Sequence, residues 1–190
     1  MTRSLPAASR TPVPWKNGGG VTREIAAWPE GAGMDDFAWR VSLAEVAADG
    51  PFSAFPDVDR TLTLVEGAGM DLTVDGTRHL VDTPYVPRDF RGDVPTDCRL
   101  LDGPVVNLNV MWRRAAGATT PTVAVVRGRL RVGADALVVA LDGTAEVAGV
   151  TLQPYDAVQL GGTEALLHAY GRTAVIGIGG PVPAADAPLA

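Results

Sequence analysis

Two stretches of the chain follow one plan: "LTLVEGAGMDLTVDGTRHLVDTPYVPRDFRGD" at 62–93 and "LVVALDGTAEVAGVTLQPYDAVQLGGTE" at 137–164. In each, an apolar strand ends in an acid followed by Gly, a hairpin turns on Gly, Pro-Tyr follows, and a strand closes on Gly. Gly67 corresponds to Gly143, Pro84-Tyr85 to Pro154-Tyr155, and Gly92 to Gly162. The offset falls from 76 (67 to 143) to 70 (92 to 162), so the second copy has shorter loops and the same order of parts. A repeat of this length predicts two related β units. Each must bury one face and manage its strand edges, and two packed sandwiches or barrels do both.

The rest of the chain reads the same way. Short runs rich in Val, Leu, Thr and Ala are punctuated by 22 Gly and 15 Pro, which predicts an all-β fold with little helix. "FAWRVSLAEV" (37–46) places Phe37, Trp39, Val41 and Leu43 on one face and Arg40 and Ser42 on the other. In "NLNVMWRR" (107–114), Leu108, Val110 and Trp112 oppose Asn107, Asn109, Met111 and Arg113. Residues 1–12 and 179–190 carry no pattern and are expected to fray or drape over the surface. The expected division is an N-terminal arm (1–13), a first unit (14–118), a second unit (119–180) and a tail (181–190).

With 190 residues and 46% apolar composition, the chain can fill a core. No apolar run approaches the roughly eighteen residues of a membrane span, and "MTRSLPAASR" lacks the apolar stretch of a secretory signal, so a cytoplasmic protein is expected. A single cysteine, Cys98, allows neither an internal disulfide nor a thiolate metal cluster. A net charge of −6 argues against nucleic acid and anionic membrane as partners.

Several groups could carry chemistry. "PWKNGGGVTRE" (14–24) holds the only lysine against fifteen arginines. Its order is not that of a phosphate loop, because the lysine precedes the glycines and a strand follows. Asn17-Gly18 is a favoured hairpin turn, and Lys16, Asn17, Gly18 and Gly19 can equally form a rim that receives an anion, with Arg23 and Glu24 following on the strand. The polar strand faces add Arg40, Ser42, Asn109 and Arg113, together with Arg60 from "DVDRTL". If these faces line a lumen, they offer fork-shaped donors for a carboxylate; if not, they are the solvent side of half-buried strands. Only two histidines, His79 and His168, are present, one in each half and without a His-x-His pair, so no metal site or cofactor is expected. Cys98, Ser42 and Ser53 have no evident base, so no catalytic residue is assigned.

The segments "PWKNGGGVTREI", "FAWRVSLAEV", "GPFSAFPDVDRTLTLVEG" and "NLNVMWRR", in this order, resemble the HutD/Ves family, bicupins associated with histidine utilisation. The resemblance runs from about Pro14 to Arg114. It implies two RmlC-like jelly-roll units and a pocket for a small molecule, and carries over no enzymatic activity. Two departures stand out: Asn107 where the family would have Asp, and Arg88-Asp89 with Arg91 where apolar and small residues would be expected. The leading expectation is a metal-independent binding protein for a small carboxylate of the urocanate or formylglutamate type, with a regulatory role. The alternatives are a metal-free isomerase or hydrolase using Lys16 and Glu24, or a scaffold for a partner protein. Monomer and homodimer are both left open.

Overall fold

The computed structural model describes residues 1–114 and 120–178. The N-terminal part holds β1 (Arg3–Leu5), a single 3-10 turn (Ala7–Ser9), β2 (Pro12–Pro14), β3 (Gly20–Trp28), β4 (Trp39–Val46), β5 (Gly50–Pro51) and β6 (Val58–Glu66). There follow β7 (Met70–Val74), β8 (Thr77–Val81), β9 (Arg88–Arg91), β10 (Thr96–Leu100) and β11 (Val105–Arg113). The second repeat supplies β12 (Thr122–Val132), β13 (Ala136–Ala140), β14 (Ala145–Val147), β15 (Val150–Leu152), β16 (Ala157–Gln159) and β17 (Ala165–Gly177). Among the described residues no helix is long and apolar enough to cross a membrane.

In the first unit a six-stranded antiparallel sheet runs β2-β3-β4-β11-β6-β9, and a four-stranded sheet, β5-β10-β7-β8, faces it. Between them lies a core that includes Leu62, Leu64, Met70, Leu72 and Cys98. The second unit is one seven-stranded sheet in which β17 pairs β12 on one side and β13 and β14 on the other. Its core includes Val138, Leu152, Val158 and Leu167.

The outer face of each large sheet is also apolar, and these two faces meet. Trp39, Val41, Leu43, Leu108, Val110 and Trp112 of the first unit pack in one buried cluster with Leu137, Val139, Ala174 and Ile176 of the second. Strand alternation thus divides β4 and β11 between a seam on one side and a barrel interior on the other. Phe37 departs from the expected pattern. It precedes β4 and joins Val58 and Met111 inside the first barrel instead of following Trp39 to the seam.

The repeat is visible in the backbone. The Tyr85 N–H donates to the Leu64 carbonyl at 2.8 Å, and its counterpart, the Tyr155 N–H, donates to the Ala140 carbonyl at 2.7 Å. Both tyrosines sit at positive φ, 65° and 69°, a conformation uncommon outside glycine. Each reaches across the seam to the acid that ends the other unit's first repeat strand. The Tyr85 hydroxyl donates to Asp142 at 3.1 Å, and the Tyr155 hydroxyl donates to Glu66.

The N-terminal arm is ordered. Residues Arg3–Leu5 pair with Ala157–Gln159 of β16, and the Ala7 N–H donates to Asp156 at 2.8 Å, so the beginning of the chain completes the sheet of the second unit. The junction between units at 118/119 and the tail at 181–190 lie outside the described residues.

Candidate functional site

The antiparallel register aligns the polar residues in rows across the interior of the first barrel. Glu24 lies opposite Ser42, and Ser42 opposite Asn109; in the next row Arg40 lies opposite Met111, Met111 opposite Arg60, and Arg60 opposite Phe90. The polar faces of β4 and β11 therefore turn into the barrel interior (the lumen), where Arg40, Ser42, Arg60 and Asn109 are all buried, Ser42 at 1% exposure and Arg60 at 7%. Arg60 and Phe90 also line an open cleft beside Trp112 and Thr122.

Beside this belt the Arg40 guanidinium pairs with the Glu24 carboxylate at 2.7 Å, Arg40 buried and Glu24 partly exposed. Arg60 has no carboxylate partner among the described residues. Its Nε and Nη2 share one acceptor, Asn109 Oδ1, at 3.3 Å each, and its guanidinium lies between the rings of Phe52 and Phe90, 5.2 Å from each centroid. Trp15 extends the aromatic wall, edge-on to Phe52 at 6.0 Å, with its indole N–H donating to Thr22 at 2.8 Å. The Ser42 hydroxyl is buried and has no hydrogen-bond partner among the described residues.

Burial first, and repulsion from Arg40 second, push the Arg60 guanidinium down to about 10. It remains cationic at neutral pH, so the belt holds two guanidinium groups against one carboxylate. Such a lumen attracts an anion and repels a metal cation. The donor set does not fit a cupin metal: His79 is exposed on β8, His168 lies on β17 of the other unit, and among the described residues no three His, Cys, Asp or Glu side chains converge.

The other sequence-singled residues go elsewhere. Lys16 is exposed on the turn that joins β2 to β3, with no ion pair among the described residues. Asn17 Oδ1 accepts the Gly19 N–H at 3.0 Å, and Gly18 adopts a φ of 72°, so this pair builds the turn. Gly20 is needed for close packing: a Cβ there would sit 2.5 Å from the Glu45 carbonyl and 3.0 Å from the Trp15 ring. Arg23 pairs with Glu45 away from the lumen belt. Arg113 covers the Phe37 ring and donates to the carbonyls of Phe37, Pro56 and Asp35, tying down loops at one end of the barrel. Burial, with Asp49 nearby, pushes the Cys98 thiol up to about 12, leaving it an inert packing group. Sequence reading missed the aromatic wall of Trp15, Phe52 and Phe90. Its only trace was the repeated aromatic content of motifs chosen for other residues.

Residues 7–176 match the HutD family model. The chain belongs to the HutD family. HutD from Pseudomonas fluorescens SBW25 shares its structure with a TM-score of 0.83 and 32% identity, over 94% of this chain and 98% of that one. An uncharacterized 21.2 kDa protein in the hutC 3' region of Pseudomonas putida is 39% identical over 100 residues. That match covers 53% of this chain, which spans about half (52%) of the length of that curated relative. The bacterial pirin YhhW of Escherichia coli is 10% identical with a TM-score of 0.67 over 96% of this chain and all of that one, a likeness of fold alone. The HutD fold is thus a two-unit cupin-like β structure.

Proposed function

We propose that the lumen of the first unit binds a small carboxylate metabolite, of the urocanate or formylglutamate type, without a metal, and that occupancy regulates histidine utilisation in the cytoplasm. The observation that supports this most is the Arg60 guanidinium: buried, held between two phenyl rings and given no carboxylate by the protein. A ligand carboxylate would supply the missing charge through paired N–H donors, and the free Ser42 hydroxyl would supply one further hydrogen bond. Phe52 and Phe90 favour a flat or narrow ligand beside the guanidinium. HutD of P. fluorescens was determined in a formate condition, formate being the smallest carboxylate, and the P. putida relative is named for its position beside hutC.

The geometry gives the enzyme alternative less support, because Glu24 is held by Arg40 and Lys16 stands exposed on the turn. The test is a thermal-shift and calorimetric series with formate, urocanate and formylglutamate, with chromatography to follow the fate of each acid. At 100 times Kd a ligand stabilises by about 2.7 kcal/mol. Protection is expected for the wild type and for Lys16→Arg, and is expected to disappear in Arg60→Gln. Consumption of the acid would replace the binding reading with a catalytic one, and an unchanged shift in Arg60→Gln would remove the lumen from it.

A further inference from the structure

Four strands of the large sheet correspond between the two repeats, and one edge that is covered in the first is open in the second. In the first unit the order β4-β11-β6-β9 corresponds to β12-β17-β13-β16 in the second. The free side of β4 is covered by β3 along its whole length, with β2 beyond it. Nothing among the described residues covers the corresponding side of β12, a strand of eleven residues. A long unpaired edge is a template for another strand unless charge or irregularity blocks it.

The two halves of β12 differ in that respect. Residues 127–132 carry Arg127, Arg129 and Arg131, all exposed and without an ion pair among the described residues. A bulge between Val126 and Gly128 separates this half from the first. Thr122–Val126 reads T-V-A-V-V, uncharged and rich in β-branched residues, and is fixed in place because Val123 and Val125 pack against the seam. Beside its start, Thr120–Val123 form one wall of a cleft of about 530 Å³ whose other lining includes Asp59, Arg60, Asp89, Phe90 and Arg91, so that it adjoins the Arg60 site. Asp89 accepts a hydrogen bond from Thr61 and has no cationic partner among the described residues.

We propose that the Thr122–Val126 edge is a homodimer interface, in which β12 pairs antiparallel with β12 of a second copy about a two-fold axis at Ala124. This register sets Thr122 against the second copy's Val126 and Val123 against its Val125, uncharged on uncharged, and extends the apolar seam face across the axis. It carries the arginine-rich halves to opposite ends, where like charges do not meet. Arg127 of each copy then falls beside Pro121 of the other, at the cleft that holds Asp89. The patch is therefore self-complementary, as a two-fold interface requires. The same arginines keep the far half of the edge from recruiting a further strand.

Light scattering after gel filtration of the full chain is expected to give twice the 19.7 kDa chain mass. Ala124 is exposed, so Ala124→Lys is expected to keep the circular dichroism of the wild type while placing two ammonium groups on the axis, and to yield monomer. Arg127→Glu is expected to weaken association about tenfold by sedimentation. As a positional check, Ala124→Cys is expected to form an interchain disulfide under mild oxidation and Arg131→Cys is not, the buried Cys98 staying silent in both. A wild type that stays monomeric at every concentration overturns the proposal. So does a dimer that survives Ala124→Lys and is not cross-linked through position 124.

Discussion

A guanidinium enclosed by Phe52 and Phe90 without a carboxylate opposes folding while the lumen is empty, because two long hydrogen bonds to Asn109 and two ring faces replace only part of the hydration that burial removes. Arg60→Met keeps much of the volume and removes the charge. It is expected to stabilise the unliganded protein by about 1–2 kcal/mol, read as a higher urea midpoint, while abolishing protection by carboxylates. Ser42→Ala is expected to be neutral or stabilising by up to about 1 kcal/mol, since the hydroxyl it removes has no partner, and to weaken ligand binding severalfold. Alternation along 37–46 and 107–114 assigns Arg40, Ser42 and Asn109 to a common polar face, but a period of two is the same for a lumen and for solvent. Only the register of β3, β4, β11 and β6 decides between them. Lys16 drew attention by its rarity, which has no bearing on where a side chain points; its neighbour Trp15 is the one that turns inward.

The hairpins that end in Tyr85 and Tyr155 act as a reciprocal clasp, each hydroxyl donating to a carboxylate of the opposite unit. Desolvation first, then the hydrogen bond to the acid, raises both phenol pKa values above the ordinary value near 10. A raised pKa means that the folded protein holds these protons after the unfolded chain has begun to release them. The clasp's contribution is therefore complete below about pH 10 and is lost as the pH rises through the folded values. Tyr85→Phe with Tyr155→Phe is expected to cost about 1–3 kcal/mol at pH 7 and to flatten the alkaline limb of stability against pH, measured by denaturant titration from pH 8 to 11. The Pro-Tyr pairs were legible as repeat landmarks; their partners were not, because Glu66 and Asp142 meet them only when two units dock. β1 escaped notice because three residues, Arg-Ser-Leu, are too few to show a period.

Across the whole molecule the seam makes the two units one cooperative body, since the outer faces of both large sheets are apolar and neither can be left open to water. All four tryptophans, Trp15, Trp28, Trp39 and Trp112, lie in the first unit. Leu137→Ala, in the second, is expected to cost about 2–4 kcal/mol, read as a lower denaturant midpoint of the tryptophan fluorescence transition, in a single step shared with far-ultraviolet circular dichroism. Two separate transitions would show that the units unfold independently. The repeat announced two units, yet their face-to-face docking was not readable, because seam residues such as Val41 and Val110 alternate just as residues packed beneath a single sheet would. The pairing of β1 with β16 adds a matter of timing. Ala7 and Asp156 are 149 residues apart, so at ribosomal speeds of roughly 5–20 residues per second the first strand waits between about 7 and 30 s for its partner to be made. The first unit is complete once Arg113 is made, and Trp39, Val41 and Trp112 then stay uncovered until Ile176 follows Trp112 by 64 residues, about 3–13 s later at the same speeds.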